Sequence, residues 1–348
     1  MNGIAAAALA AVLGTSLAVG GATRASADPV ADFYKGKQVN IVVGYSPGGG
    51  YDTYARILAN HFGKHIPGNP SVIVTNMPGG GSLTAANYTY NVAAKDGTHL
   101  GVFSAPTAVE PLLGRDNAKF ETLKFGWLGN MYRDVHGCVT WHETGIKSLD
   151  DVVKSKEPVV FGATSASSYG NMHARILEAM SGANVKIVTG YSGITGVGKA
   201  LQQREIDAAC AMSVSTMQSS FRALKESGEF RLFVQFAKEK NPYFGDATHF
   251  YSTLKNDDER KIADFFFSQS GIARPVAAPP GIPADRLAAL RTAFLDALKD
   301  PALLAEAERI GVDITPETSA QVEADFREMY DTPPEVLARA LDIMGRGK

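Results

Sequence analysis

Cysteine is nearly absent. The 348 residues hold two, Cys138 and Cys210, which excludes a densely stapled fold and, with no companion histidine at ligand spacing, a zinc site. An exported compartment permits a bond between them, and buried free thiols are as ordinary in their apolar surroundings; the sequence leaves the pairing open. Basic runs and basic stripes interleaved with aromatics are also missing, and the formal net charge is −2 with both signs mixed. That excludes an electrostatic nucleic-acid binder. Beyond Gly21 no segment approaches the roughly 18 apolar residues of a membrane span. The seven histidines are scattered, none in H-E-x-x-H spacing, and no glycine turn continues into Gly-Lys-Ser/Thr. No metal, nucleotide or other cofactor is expected.

What is present begins with an address. Ile4 to Gly21 is apolar and small, and Ala25-Ser26-Ala27 fits the small-x-small rule of signal peptidase. Residues 1–27 are expected to be a signal peptide cleaved before Asp28, giving a periplasmic protein. The lack of any Lys or Arg before the run is atypical for such a peptide; an uncleaved anchor is the rival, disfavoured because the Ala/Gly-rich run is weakly hydrophobic. The remaining length, with 45% hydrophobic residues, suits two domains.

Two stretches share one grammar. Val39, Ile41, Val42 and Val43 read as a buried strand, Ser46-Pro-Gly-Gly-Gly50 as a turn, and Tyr51 to Phe62 as a helix. Val72 to Asn76, Pro78-Gly-Gly-Gly81 and a helix opened by Ser82 as N-cap repeat it. A strand passing through glycines into a helix leaves helical N–H groups unpaired at its positive end, which is a seat for a carboxylate or phosphate. A chain-reversing turn is the plain alternative for either stretch; two of them on neighbouring βα units favour the seat, since both then lie at the strand C-terminal edge.

A third strand ends at Ser104, on the same edge. Phe120 to Trp141 reads as one strand leaving the first domain. Pro158 to Leu177 is strand, hydroxyl-rich loop and helix, with Thr164, Ser165, Ser167 and Ser168 in place of the glycines; they suit a polar ligand group or cap their own helix. Val185–Thr189, Ile206–Met212 and Phe230–Phe236 read as further strands, with Tyr191 at one strand end and Ser213 opening a helix. Asp257–Phe267 reads as helix, Ser268–Arg274 as strand, and the prolines 275–283 lead into helices expected to pack back on the first domain. His61 and His65, at i and i+4, are expected to face solvent.

Gly44-Tyr-Ser-Pro-Gly matches the G-x-S-x-G nucleophile elbow, but the N–H that would complete the oxyanion hole belongs to Pro47, which has none. No catalytic residue is assigned and the chain is not read as an enzyme.

These segments, in this order, resemble the periplasmic substrate-binding proteins of tripartite tricarboxylate transporters, the Bug family. Pro47-Gly-Gly-Gly-Tyr-Asp-Thr-Tyr-Ala-Arg56 is similar to its P-G-G-x-x-D-x-x-A-R, Asn76 to Ser82 to its N-x-P-G-a-x-G, and Asp96-Gly-Thr-His-Leu100 to its D-G-Y-T-L. Gly190-Tyr-Ser-Gly193, Ile206-Asp207 and Pro279-Pro-Gly-Ile-Pro283 continue the likeness, which runs from about Val39 to Phe326; Asp246 to Phe267 departs, lacking the family's Pro-Thr-x-x-Glu-x-Gly. The resemblance implies an α/β, type II periplasmic binding protein fold: residues 28–138 and 236–348 as the first lobe, 139–235 as the second, crossing strands between them and a ligand cleft. It implies a ligand held by Tyr45, Ser46, Gly48, Gly49, Asp52, Gly79, Gly80, Gly81, Ser82 and Ser104 of the first lobe, and by Thr164, Ser165, Ser168, Tyr169, Tyr191 and Ser213 of the second. Asp52 sits uneasily beside an anion; its expected role is to hold loop N–H groups or a water, with Arg56 at i+4 offsetting its charge. None of these loops carries Arg or Lys, which favours a mono- or dicarboxylate, aliphatic or aromatic, over a tricarboxylate. The partners implied are a small carboxylate and membrane transporter subunits, with the chain a monomer. The alternatives are a sensing subunit that docks on a sensor kinase and a secreted hydrolase using Ser46.

Overall fold

The computed structural model describes residues 28–345. The expected signal peptide, residues 1–27, lies outside the described residues. The chain forms β1 (Gln38–Val43), β2 (Ser71–Asn76), β3 (His99–Val102) and β4 (Gly126–Asn130), then β5 (His136–Trp141), β6 (Val159–Ala163), β7 (Val185–Thr189), β8 (Ala208–Ser213), β9 (Phe230–Phe236) and β10 (Thr248–His249), and finally β11 (Pro275–Ala278) and β12 (Glu317–Thr318).

Two six-stranded sheets result, ordered β12-β4-β11-β3-β1-β2 and β10-β9-β5-β8-β6-β7. In each, three strands from βα units run parallel, and a central antiparallel strand is the first one laid down after the chain crosses over: β11 between β3 and β4, β5 between β8 and β9. Helices cover the sheets, so strands such as β1 and β6 bury their apolar side chains almost throughout (Val39, Ile41, Val42, Val43; Val159, Phe161, Ala163). The two crossing segments run side by side. Met131 N donates to Arg274 O (3.1 Å), Asp134 N to Ser270 O (3.2 Å), and Arg274 N to Asn130 Oδ1 (2.7 Å).

These crossings correct several expectations. Phe120–Trp141 is two strands, β4 and β5, because Met131 and Asp134 between them bond to the returning chain instead of a sheet. Ser268–Arg274 is not a strand: the helix continues to Gly271, since Ile262, Ala263, Phe266, Gln269 and Ser270 keep one buried face, and the strand is the short Pro275–Ala278 run. A proline is tolerated there as the first residue of a strand. The division expected at 138/139 falls inside β5, and β10 still belongs to the second sheet. Of the final helices, Ala284–Ala297, Pro301–Ile310 and Ser319–Tyr330 pack on first-lobe elements, while Pro334–Ile343 lies on the Asp257–Gly271 and Tyr169–Ser181 helices. His61 and His65 do not face open solvent; His61 Nε2 meets Glu306 (2.7 Å) and His65 Nε2 meets Asp300 (2.9 Å), tying helix Gly50–Phe62 and the turn Gly63–His65 after it to the returning chain. Cys138 of β5 and Cys210 of β8 are disulfide-bonded, at a point where both ladders of β5 shift register. Among the described residues no helix is long and apolar enough to cross a membrane.

Candidate functional site

The first turn is held from behind. Asp52 Oδ2 accepts from Gly48 N (2.9 Å) and Arg56 Nε (2.9 Å), and its Oδ1 from Asn76 Nδ2 (2.8 Å). Burial pushes its carboxyl up, but those bonds outweigh burial and hold it below the ordinary carboxylate range. Asn76, from the second glycine segment, also donates to Tyr45 O (2.9 Å), so one side chain links the two turns. Helix Gly50–Phe62 starts at Gly49 with no side chain capping it, leaving its first N–H groups open toward the cleft. Gly50 must lack a Cβ, which would lie 2.6 Å from Arg274 Nη2.

The second turn is built differently. Gly79, Gly80, Gly81 and Ser82 all have positive φ (143°, 58°, 71° and 88°), a path that suits glycine and strains a serine. Ser82 occupies the N-cap position without capping. Its hydroxyl is turned inward instead, accepting from Ser104 N (3.0 Å) and donating to Thr107 Oγ1 (3.0 Å), while Thr107 Oγ1 donates to Gly81 O (2.8 Å). Ser82 and Ser104 are thus fully buried behind the turn and support it. Tyr45 braces the same turn, donating its hydroxyl to Gly81 O (3.0 Å) and stacking on Tyr51 (4.6 Å between centroids).

The second lobe closes directly on these turns. Ser167 Oγ donates to Gly80 O (2.8 Å), Ser46 Oγ to Ser192 O, Ser220 Oγ to Gly48 O, and Arg222 Nη2 to Ile310 O (3.1 Å). Helix Ile194–Gln202, uncapped at Gly193, faces the start of Gly50–Phe62: a Cβ on Gly49 would lie 3.3 Å from Ile194 Cγ2, and one on Gly193 the same distance from Ser46 Cβ. Helices Tyr169–Ser181 and Val214–Ser219 also begin here, capped by Ser168 (from Asn171 N) and Ser213 (from Thr216 N).

Between the lobes lies an inner cavity of about 60 Å³. Of the expected site residues, Tyr45, Ser46, Gly49, Thr164, Ser168, Tyr169 and Ser213 line it. Gly79, Gly80, Gly81 and Tyr191, with Tyr45 and Thr164 again, line an adjoining pocket of about 320 Å³. Gly48 and Ser165 are at the closed lobe contact: Gly48 receives Ser220, and a Cβ on Gly81 would meet Ser165 Oγ at 2.4 Å. Asp52, Ser82 and Ser104 stand behind the turns.

Arg274 also lines the inner cavity, which corrects the reading that the site carries no cation. It comes from the returning crossing segment and is buried, donating from Nη2 to Asp134 Oδ2 (2.9 Å) and Ser215 Oγ (2.5 Å) and from Nη1 to Ala273 O (2.8 Å). Its guanidinium lies 4.5 Å from the Tyr51 ring centroid and 5.2 Å from that of Tyr54. Burial pulls its pKa down, but Asp134 and the tyrosines outweigh burial and hold it above the ordinary arginine value, so it is charged. Its Nε and the Tyr51 hydroxyl are buried without a partner. His136, on the cavity wall, bonds through Nδ1 to Ser270 Oγ (3.0 Å); burial, then Arg274, pushes it down to about 3. His173 behind it, stacked on Phe236 at 4.2 Å, is pushed down by burial and by His136. Both imidazoles are neutral. In the sequence Arg274 is only an isolated arginine before a proline in an otherwise apolar run, with nothing local to tie it to Asp134.

No family model matches the chain. A UPF0065 protein in the TAR-I ttuE-ttuC' intergenic region of Agrobacterium vitis is 25% identical over 317 residues, 89% of this chain and 86% of that relative. Among solved structures, the periplasmic binding protein BugD superposes with a TM-score of 0.73 at 18% identity, over 90% of this chain and 100% of that one. MatC from Rhodopseudomonas palustris with bound malate gives 0.67 at 17%, over 88% and 99%. The fold is that of periplasmic binding proteins, and the likeness carried by the motifs leads to the same neighbours.

Proposed function

We propose that the chain is a periplasmic solute-binding protein of the Bug type, which captures a small carboxylate between its lobes and delivers it to a tripartite tricarboxylate-type membrane transporter. The observation that carries this is the meeting of two uncapped helix starts, Gly50–Phe62 and Ile194–Gln202, one from each lobe, over a cavity that also holds the charged Arg274. Two positive helix ends brought head to head repel one another, and an anion between them removes that cost. Closure is therefore coupled to an anionic ligand, which is the differential affinity a capture protein needs. Malate in MatC supports a carboxylate as that anion.

The protein acts by binding and release, not by turnover. Ser46 spends its hydroxyl on Ser192 O, and His136, the cavity's imidazole, is bonded to Ser270 rather than to a serine of the turn. Equilibrium dialysis of the exported protein against carboxylic acids and their neutral amides tests the reading. Retention of an acid and not of its amide is expected; equal retention of both would contradict anion-coupled closure.

A further inference from the structure

β8 is irregular where it walls the inner cavity. Its ladder with β5 pairs Gly137 with Met212 and Val139 with Ala209, so Cys210 and Ala211 together oppose the single Cys138, a β-bulge. The ladder with β6 ends at Ala209, so neither register includes Ala211. Ala211 has φ +65°, in the left-handed region that disfavours alanine. It is also the one residue of Ala208–Ser213 that is partly exposed, and it lines the cavity together with Cys210. A residue held in such a conformation persists only where its surroundings over-determine it. Here the Cys138–Cys210 bond does so, joining the two strands at the point where their residue counts differ. A slip of one residue would remove the bulge and turn the rest of β8 over. It would also draw Ser213 away from Arg274 Nη2 (3.3 Å) and from the start of helix Val214–Ser219, which it caps.

We infer that Ala211 is a ligand-contacting position of the second lobe that sets selectivity, and that the Cys138–Cys210 disulfide holds it in place. The inference rests on the carboxylate-binding reading, and adds a second-lobe wall to the first-lobe turns expected to seat the carboxylate. A methyl group and main chain, without charge, suit the uncharged body of the acid. A disulfide that only stapled the lobe would have no influence on which acid is held.

Isothermal titration of the exported protein, refolded with its disulfide intact to strip any carried ligand, tests this with acetate, pyruvate, succinate, malate, citrate and benzoate. Two variants are titrated beside it: Ala211→Asn, and the double change Cys138→Ala with Cys210→Ala. Asparagine accepts positive φ more readily than alanine, so Ala211→Asn should keep the parent's urea midpoint. By crowding the wall it should weaken the preferred acid roughly tenfold or more and change the order of preference. The double variant should unfold at lower urea, and its folded form should bind roughly threefold or more weakly. Unchanged affinity and order in Ala211→Asn would overturn the contact, and that variant decides it even where the double variant does not fold. Unchanged affinity in a folded double variant would overturn the role given to the disulfide. If the parent binds none of the acids, the carboxylate reading falls and this inference with it; a parent that binds beside two unaffected variants overturns the inference alone.

Discussion

The two glycine turns are near copies in sequence and opposites in structure. The first keeps ordinary φ at Gly49, leaves its helix uncapped and points it at the inner cavity. The second forces four successive residues to positive φ, hides its hydroxyls behind itself, and offers a main-chain carbonyl to the other lobe. The first turn borders the cavity and the second is gripped by the other lobe. A strand-glycine-helix pattern fixes where a turn lies on the sheet edge, but what stands opposite decides its use. Arg274 and Ile194 stand opposite the first turn, Ser165 and Ser167 opposite the second.

Removing the guanidinium beneath the first turn should have the largest effect. Arg274→Ala leaves Asp134 buried and unpaired and is expected to cost about 3–5 kcal/mol of stability, read by urea denaturation, together with loss of carboxylate binding. Next is acid. His136 and His173 are neutral when folded, their pKa values lowered from an ordinary value of 6.5, His136 to about 3. The unfolded chain therefore takes up protons that the folded chain refuses as pH falls below 6.5. Stability should be full above that pH and fall toward pH 3 by up to about 1.4 kcal/mol per unit for each histidine. His136→Gln should flatten the slope; an unchanged slope would place the acid sensitivity elsewhere.

Smaller changes separate the two turns. Gly81→Ala places a Cβ at positive φ and against Ser165, and should cost about 1–2 kcal/mol of stability while opposing closure. Gly49→Ala, at φ −88°, should leave urea stability nearly unchanged and weaken binding through the crowding of Ile194. Equal stability losses in the two variants would erase the distinction. Ser167→Ala removes one cross-lobe bond and should weaken ligand affinity by about 0.5–1.5 kcal/mol without altering which acid is preferred, as read by titration calorimetry.

The turns were legible in the sequence because Pro-Gly-Gly-Gly between an apolar strand and an amphipathic helix has few other readings. Asp52 and Arg56 were legible for a similar reason, lying four apart on one helix whose register the turn fixes. Arg274 was not legible. It reaches the cavity only because two crossing segments, far apart in the chain, run side by side, and local pattern carries no trace of that pairing. Ser104 and Ser82 were placed on the right edge and given the wrong direction: a strand-end serine, or one at a helix start that signals a cap, carries no mark of whether its hydroxyl turns inward. The helix end at Gly271 was missed where three phenylalanines and a proline downstream imitate a strand boundary.

An anion between the lobes is expected to stabilise the closed protein. Thermal denaturation of the refolded exported protein, with and without a panel of carboxylic acids, tests it most directly. An acid at about 100 times its dissociation constant adds about 2.7 kcal/mol, and the midpoint should rise by about 5 °C or more with that acid and not with its amide. A midpoint that no carboxylate moves would contradict the claim.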